Sequence, residues 1–176
     1  MWLSVPVETS GRFEQRIDEA RIEPHSPWRR KHWRSIELAY KDFPFFADHA
    51  PFFRDLYTRE WTGLSDLNEA AIRYLLEAFG IRVPFHRARD LAPEGKATDL
   101  VLDLCRRLGA DAYLSGIHGK DYLDVPAFDR AGVKLLFSDF RHPVYDQSPY
   151  PGFVPNLSAI DLLFAAGPKA RDVLLG

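Results

Sequence analysis

The stretch GIHGKDYLD, residues 116–124, combines groups that could bind an anionic ligand and move a proton. Its glycines let backbone N–H groups approach an anion, and Lys120 adds a mobile positive charge. His118 is a candidate for proton transfer, while Asp121 and Asp124 could orient a hydroxyl or an amine. A connection between a strand and a helix, with Asp124 capping the helix, explains the same residues equally well. The spacing lacks the length and the final Ser or Thr of a P-loop, so the pattern alone leaves both interpretations open.

A second group of candidates lies in WRRKHWRS, residues 28–35. Its arginines and lysine could hold a diphosphate, since Arg offers two parallel hydrogen bonds and Lys a point charge. A solvated basic surface on a helix whose tryptophans enter the core is the commoner arrangement, and we assign Arg29 and Arg30 to it. Lys31 and His32 stay candidates, because His32 shares a helical face with the first tryptophan.

Several other kinds of site are disfavoured by spacing. The six histidines show no H-x-H or H-E-x-x-H pattern, so no metal site is expected. Ser115 is not in a G-x-S-x-G context, and a serine that caps a turn at the end of a strand is the simpler interpretation. The single cysteine, Cys105, lies among leucines, which predicts a buried, unreactive thiol and excludes a disulfide within the chain.

The composition predicts one globular domain. With 176 residues, of which 46% are hydrophobic and 27% charged, the chain has room for a single hydrophobic core. A net charge of −2 does not favour nucleic-acid binding, which requires an extended basic surface. The apolar runs are too short to cross a bilayer and no leader-like segment is recognisable, so we expect a cytoplasmic protein without a membrane span.

The elements that position these residues follow one repeated pattern, in which a helix ends at a glycine and a β-rich run follows. Successive units of this kind favour parallel pairing, because each connecting helix can pack back onto the sheet. We therefore predict a single layered α/β domain with a mainly parallel sheet. The three units are 65–79 with Gly80 and IRVPF, 98–108 with Gly109 and ADAYLSG, and 126–131 with Gly132 and VKLLFS.

The two ends of the chain carry further expected elements. WLSVPV, residues 2–7, predicts a strand, and a helix is expected from Trp28 to about Tyr40. HPVYDQSPYPGFVP, residues 142–155, contains four prolines and is expected to form an irregular loop or lid. Ser158 is expected to cap the helix that follows, with Asp161 at the offset of a capping box.

Taken together, blocks along nearly the whole chain resemble the WbqC-like family in their order and spacing. This resemblance implies a role in bacterial surface polysaccharide or O-antigen biosynthesis, with a nucleotide-linked sugar or an activated acyl or aminoacyl donor as the ligand. The blocks are WLSVPV, WRRKHWRSIELAY, LCRRLGADAYLSG with KDYLD, FDRAGVKL, HPVYDQ and FVPNLSAIDLLFAAG. The motif positions of the family fall on Lys31, His32, Ser115, Gly116, Tyr122, Asp124, Tyr145, Gln147, Ser158 and Asp161.

The chain departs from the family pattern at two points. Family members usually open with a further strand and an aromatic loop, and residues 1–176 start beyond that segment, so a fragment or a shortened member is expected. In the family, the YLSG loop often continues with small residues, where this chain has Ile117 and His118. His118 is therefore either an added proton-transfer group or a neutral variation.

The first functional hypothesis is a transferase that moves an acyl or aminoacyl group onto a nucleotide-linked amino sugar. Lys31 and Lys120 would hold phosphate, His32 or His118 would take the proton from the attacking amine, and Asp124 would orient the sugar. The expected further contacts with this small-molecule substrate are Ser115, Gly116, Tyr122, Tyr145 and Gln147.

The alternative is a non-catalytic subunit that binds a nucleotide sugar or takes part in assembly. Neither hypothesis requires a cofactor, and the oligomeric state is not predicted. Both expect Ser115, Gly116, Tyr122 and Asp124 to converge with His32 on one cleft at the carboxyl edge of the sheet.

Overall fold

The computed structural model describes residues 2–12 and 15–176 and shows a mixed α/β architecture. Short 3₁₀ helices at Ile17–Glu19, Ile117–Asp121 and Gly167–Lys169 supplement the regular elements. The α-helices are α1 (Trp28–Tyr40), α2 (Phe46–Thr58), α3 (Leu64–Ala78), α4 (Ala88–Leu91), α5 (Thr98–Leu108), α6 (Val125–Ala131), α7 (Ala159–Ala166) and α8 (Ala170–Leu175), and the strands are β1 (Ala112–Ser115) and β2 (Lys134–Phe137).

The chain divides into two compact units. One unit, here called the terminal unit, consists of Met1–Arg82 and His142–Gly176, and the other, the central unit, is Val83–Arg141. Each unit has buried apolar side chains of its own. No described helix has both the length and the apolarity that crossing a bilayer requires.

The core of the terminal unit is built from the apolar faces of its helices. On α1, the buried residues Trp28, His32 and Ile36 are spaced by four, which places them on one side of the helix. They belong to, or lie beside, an aromatic-rich cluster that includes Phe53 of α2 and the fully buried Phe164 of α7. Burying each large apolar side chain stabilises the fold by about 1.5–3 kcal/mol, so this cluster is a major source of stability.

The central unit confirms the second and third repeats of the predicted pattern. Strands β1 and β2 pair in parallel, with Ala112 opposite Lys134 and Ser115 opposite Phe137. Gly109 and Gly132 end α5 and α6 in the left-handed conformation, with φ of +64° and +69°. Glycine adopts this conformation without a steric penalty, which explains why each helix stops there and the chain turns into a strand.

Two predicted strands are wrong. Residues 81–85 contain no strand, although the preceding helix, α3, was expected correctly. Pro84 has no N–H for a ladder and argues against a central strand at this position. Of WLSVPV, only Val7 pairs, in an isolated antiparallel bridge with Ile22, and Pro6 likewise has no N–H to extend the pairing.

The C-terminal part of the chain is partly as expected. Residues 142–155 are irregular, as their prolines predict, whereas a lid function for them stays a prediction. Ser158 occupies the position before α7, but its side chain makes no capping hydrogen bond. The expected capping box with Asp161 is therefore wrong, because the Asp161 carboxylate is buried and hydrogen-bonded to other residues.

The environment of Cys105 predicts a slow reaction with thiol reagents. The side chain lies in the core of the central unit, and burial raises the pKa of its thiol, so little thiolate is present at neutral pH. We expect labelling by an aromatic disulfide reagent to be slow in the folded protein and fast in denaturant. Equal rates under both conditions would contradict the buried, inert thiol.

Candidate functional site

The end of β1 places several of the predicted site residues in the central unit side by side. Ser115 ends the strand and is only 3% exposed, and its hydroxyl donates to the carbonyl oxygen of Gly116 at 3.1 Å. A methyl group added at Gly119 would collide with the Ser115 hydroxyl, whereas one at Gly116 would meet open space. Close packing therefore requires glycine at 119 but does not explain the glycine at 116.

The 3₁₀ turn after Gly116 presents a base, an acid and a cation to solvent. His118 is 92% exposed, and its Nδ1 lies 3.6 Å from a carboxylate oxygen of Asp121. The Nζ of Lys120 lies 5.2 Å from the ring centroid of Phe137, which is a cation–π distance. Acid–base and anion-binding groups thus stand within four residues, beside the carboxyl ends of both strands.

Asp124 acts as the cap of α6. Its carboxylate accepts a hydrogen bond from the backbone N–H of Ala127 at 3.3 Å and lies 3.5 Å from the Arg130 guanidinium. Its own N–H donates to the hydroxyl of Thr98 at 3.0 Å. Such a cap contributes about 1 kcal/mol to stability. The alternative that the sequence left open, Asp124 as a helix cap, is thus confirmed, whereas the Tyr122 side chain that this alternative would place beneath the turn is exposed.

In the terminal unit, His32 is buried on α1 while the neighbouring Lys31 is exposed. The Nε2 of His32 lies 3.2 Å from the carbonyl oxygen of Ser4, so Nε2 carries the hydrogen and donates it. Its Nδ1 is buried and has no hydrogen-bond partner in the part of the chain that the structure describes. Burial lowers the pKa of His32, which keeps the imidazole neutral at neutral pH.

Tyr145 and Gln147 meet at the carboxylate of Asp161, which is 2% exposed. The Tyr145 hydroxyl and the Gln147 amide donate to the same oxygen at 2.8 and 3.0 Å. Gln147 also donates to the carbonyl oxygen of Val154 at 3.0 Å and accepts from its N–H at 2.8 Å. Both hydrogens of the Gln147 amide are thus used within the protein, and the irregular segment is tied to α7.

The tyrosines around Asp161 are held in the protonated state. Burial, followed by the hydrogen bond to Asp161, raises the pKa of Tyr145 to about 12. The pKa of Tyr40, at the end of α1, is also raised, first by burial and then by the charge of Asp161. Both phenols therefore act as hydrogen-bond donors at physiological pH.

The sequence analysis named Tyr145, Gln147 and Asp161 as motif positions but did not predict that they form one cluster with Tyr40. The carboxylate inside the apolar run AIDLLFAA indicates such a cluster, because a charged residue on a buried helix needs hydrogen-bond partners. The capping-box spacing from Ser158 supplied a competing explanation that hid it. Tyr40 gave no signal, since a tyrosine at the end of an amphipathic helix is common in cores.

The predicted site residues thus fall into separate groups, each of which lies within either the terminal or the central unit. Lys31 and His32 are adjacent on α1, and Tyr145 and Gln147 share Asp161, all in the terminal unit. The convergence of the central-unit residues with His32 on one cleft stays a prediction. The central-unit group is Ser115, Gly116, His118, Lys120, Tyr122 and Asp124. Among residues 2–12 and 15–176, no three metal-binding side chains are grouped around a common point.

Comparison with known proteins identifies the family. The model of the WbqC-like protein family matches residues 1–173, so the chain belongs to this family. The chain is also 31% identical over 174 residues to the uncharacterized protein Rv1507c of Mycobacterium tuberculosis (strain ATCC 25618 / H37Rv). That alignment covers 98% of this chain and 75% of the relative. The comparison with solved structures found no significant match.

Proposed function

We propose that this protein is a transferase of bacterial surface-polysaccharide biosynthesis that moves an acyl or aminoacyl group onto a nucleotide-linked amino sugar. The observation that supports this most is the turn Ile117–Asp121, which carries His118, Lys120 and Asp121 together. Ligands of α/β folds commonly bind at the carboxyl ends of parallel strands, where this turn lies.

In the proposed reaction, the amine nitrogen of the sugar attacks the acyl carbon of an activated donor. A bond forms between nitrogen and carbon, and the bond from that carbon to the leaving group breaks. His118 accepts the proton from the amine through Nε2 and returns it to the leaving group, while the Asp121 carboxylate, 3.6 Å from Nδ1, stabilises the protonated ring by its charge. Lys120 binds the diphosphate of the sugar nucleotide as a point charge.

The other predicted residues have assigned roles in this proposal. Lys31 would add a second phosphate contact, His32 a second proton acceptor and Asp124 a contact to the sugar. The remaining predicted substrate contacts are Ser115, Gly116, Tyr122, Tyr145 and Gln147.

A non-catalytic nucleotide-sugar binding subunit is the second candidate. Two observations favour it, because Asp124 is used as a helix cap and the Gln147 amide is hydrogen-bonded within the protein. Both side chains are explained by structure without a reaction. This candidate shares the binding step with the transferase and differs from it only in turnover.

Ligand binding tests the part that both candidates share. Calorimetric titration with uridine or thymidine diphosphate amino sugars should give saturable binding, and Lys120→Ala should raise the Kd at least about tenfold, or about 1.4 kcal/mol. Lys134→Ala is the matched control, since this exposed lysine begins β2 at the other end of the strand pair. Absence of binding to the whole panel, or an equal loss in both variants, would contradict the anion site at the turn.

A further inference from the structure

His32 connects the N-terminal segment, here residues 2–5, to the helices of the terminal unit. Its Nε2–H donates to Ser4, and its ring lies edge-on to Trp28 of α1 at 5.2 Å and to Tyr57 of α2 at 5.6 Å. Leu3 and Val5 flank the hydrogen-bonded carbonyl and pack against the core. The hydrogen bond from His32 to Ser4 thus lies between the apolar contacts that Leu3 and Val5 make with the core.

This arrangement accommodates only the neutral imidazole. A protonated ring carries N–H on both nitrogens, and Nδ1 has no acceptor in the described part of the chain. The charged ring would also lose its hydration, because the side chain is 94% buried, with 6% of its surface exposed. A buried N–H donor without an acceptor destabilises the folded state, because it has lost its hydrogen bond to water and gained none in the protein.

Within residues 2–12 and 15–176, no neighbouring group offsets that charge. Of the residues that contact the ring, Ser4 of the N-terminal segment and Trp28 of α1 do not titrate in the physiological range. Tyr57 of α2 does titrate, but burial raises its pKa, so it stays neutral. The next cation on α1, Lys31, is exposed. Protonation of His32 is therefore relieved only by movement of the segment or the ring.

We propose that His32 is a pH-sensitive latch, which holds residues 2–5 against the terminal unit at neutral pH and releases them in mildly acidic solution. The release is local, because the backbone N–H of Glu8 donates to the Arg21 carbonyl at 2.9 Å and the backbone N–H of Glu23 donates to the Pro6 carbonyl at 3.0 Å. These bonds hold the chain from residue 6 onwards independently of His32. His32 is also the second proton acceptor of the proposed transferase, but the latch rests on the hydrogen bond to Ser4 and on the burial of the ring, and it does not depend on that reaction.

The direction of the pH dependence follows from the lowered pKa of His32. The neutral ring is favoured in the folded state, so the latch is closed above about pH 6.5, the ordinary value for histidine. It opens as the pH falls through the lower value of the folded protein. The stabilisation that the closed latch provides is lost over the same window.

Methyl NMR of the whole chain tests the latch between pH 7.5 and 5. We expect the methyl signals of Leu3 and Val5, shifted at neutral pH by nearby rings, to move to random-coil positions with the midpoint of the His32 ring titration. The methyl groups of the fully buried Leu163 should not shift, which excludes global unfolding. If His32 titrates while the Leu3 and Val5 signals stay in place, the latch is refuted.

Two variants make the test specific. In His32→Gln, the amide can still donate to Ser4 but does not titrate, so Leu3 and Val5 should stay packed over the whole range. His49→Gln is the matched control, because burial also lowers the pKa of His49 and this variant should keep the pH response. A pH response of Leu3 and Val5 that is unchanged in His32→Gln, or absent in His49→Gln, would overturn the assignment. If His32→Gln does not fold, the unmodified protein decides the question. The midpoint of the Leu3 and Val5 methyl shifts must then equal the midpoint of the His32 ring titration, and different midpoints refute the latch.

Discussion

Replacing Asp161 with alanine lowers the free energy of unfolding of the terminal unit by about 2–5 kcal/mol. The variant removes the acceptor of the Tyr145 hydroxyl and of one Gln147 hydrogen, which leaves a partly buried and a buried donor without a partner. Each buried donor without a partner costs about 1–3 kcal/mol. The irregular segment also loses its attachment to α7, so the loss extends beyond one side chain.

Urea unfolding followed by tryptophan fluorescence measures this change in the stability of the terminal unit, where the tryptophans lie. Asp172→Ala, an exposed position on α8, is the matched control and should change stability by less than about 0.5 kcal/mol. Tyr145→Phe removes one donor and should cost about 1 kcal/mol. Equal stability of the two aspartate variants would show that the buried cluster contributes nothing. The four tryptophans, Trp2, Trp28, Trp33 and Trp61, all lie in the terminal unit.

Gly167→Ala is the variant with the second large expected effect. It should lower the free energy of unfolding by about 2–5 kcal/mol, because overpacking and backbone strain act together. Gly167 follows α7 with φ of +51° and ψ of −123°, a conformation that only glycine adopts readily. An added methyl group would collide with the ring of Phe45. The backbone of Phe45 is held in place, because its N–H donates to the Phe164 carbonyl at 3.0 Å, so only a change of the Phe45 rotamer could relieve the collision.

Gly80→Ala separates the two causes of that loss. Gly80 also has a positive φ, of +64°, but a methyl group there would meet nothing within 4 Å. Gly80→Ala should therefore lower the free energy of unfolding by only about 1 kcal/mol, because the backbone conformation is its one source of strain. The same fluorescence measurement reports both glycines, since both lie in the terminal unit. A loss for Gly167→Ala no larger than for Gly80→Ala would contradict the collision with Phe45.

Local patterns in the sequence predicted most of the helices and the parallel pair. The boundaries of α5 and the glycines after α5 and α6 agree with the structure, and β1 lies within the predicted run ADAYLSG, because apolar periodicity and a left-handed glycine act within a few residues. The strand expected after Gly80 failed for a local reason, the missing N–H of Pro84, and also for a non-local one. A strand forms only where a partner strand is available, and residues 81–85 have none in the described parts of the chain.

The candidate site was predictable only in part, for the same physical reason. His118, Lys120 and Asp121 lie within one turn, so their proximity follows from the sequence. The Asp161 cluster joins Tyr40 of α1 to the irregular segment and α7, and α1 is far from both of these along the chain. Burial of His32 follows from helical spacing, whereas its hydrogen bond to Ser4 depends on tertiary packing over 28 residues.

Turnover of a nucleotide-linked amino sugar tests the central claim most directly. The whole chain is incubated with the sugar nucleotide and a panel of activated acyl and aminoacyl donors, and the acylated product is measured by mass spectrometry. The transferase account predicts product, with kcat reduced about 10²–10⁴-fold in His118→Gln while the Kd of the sugar nucleotide is unchanged. His86→Gln, at an exposed position in the central unit, should keep full activity. Binding of the sugar nucleotide without turnover of any donor would contradict the transferase and support the binding subunit instead.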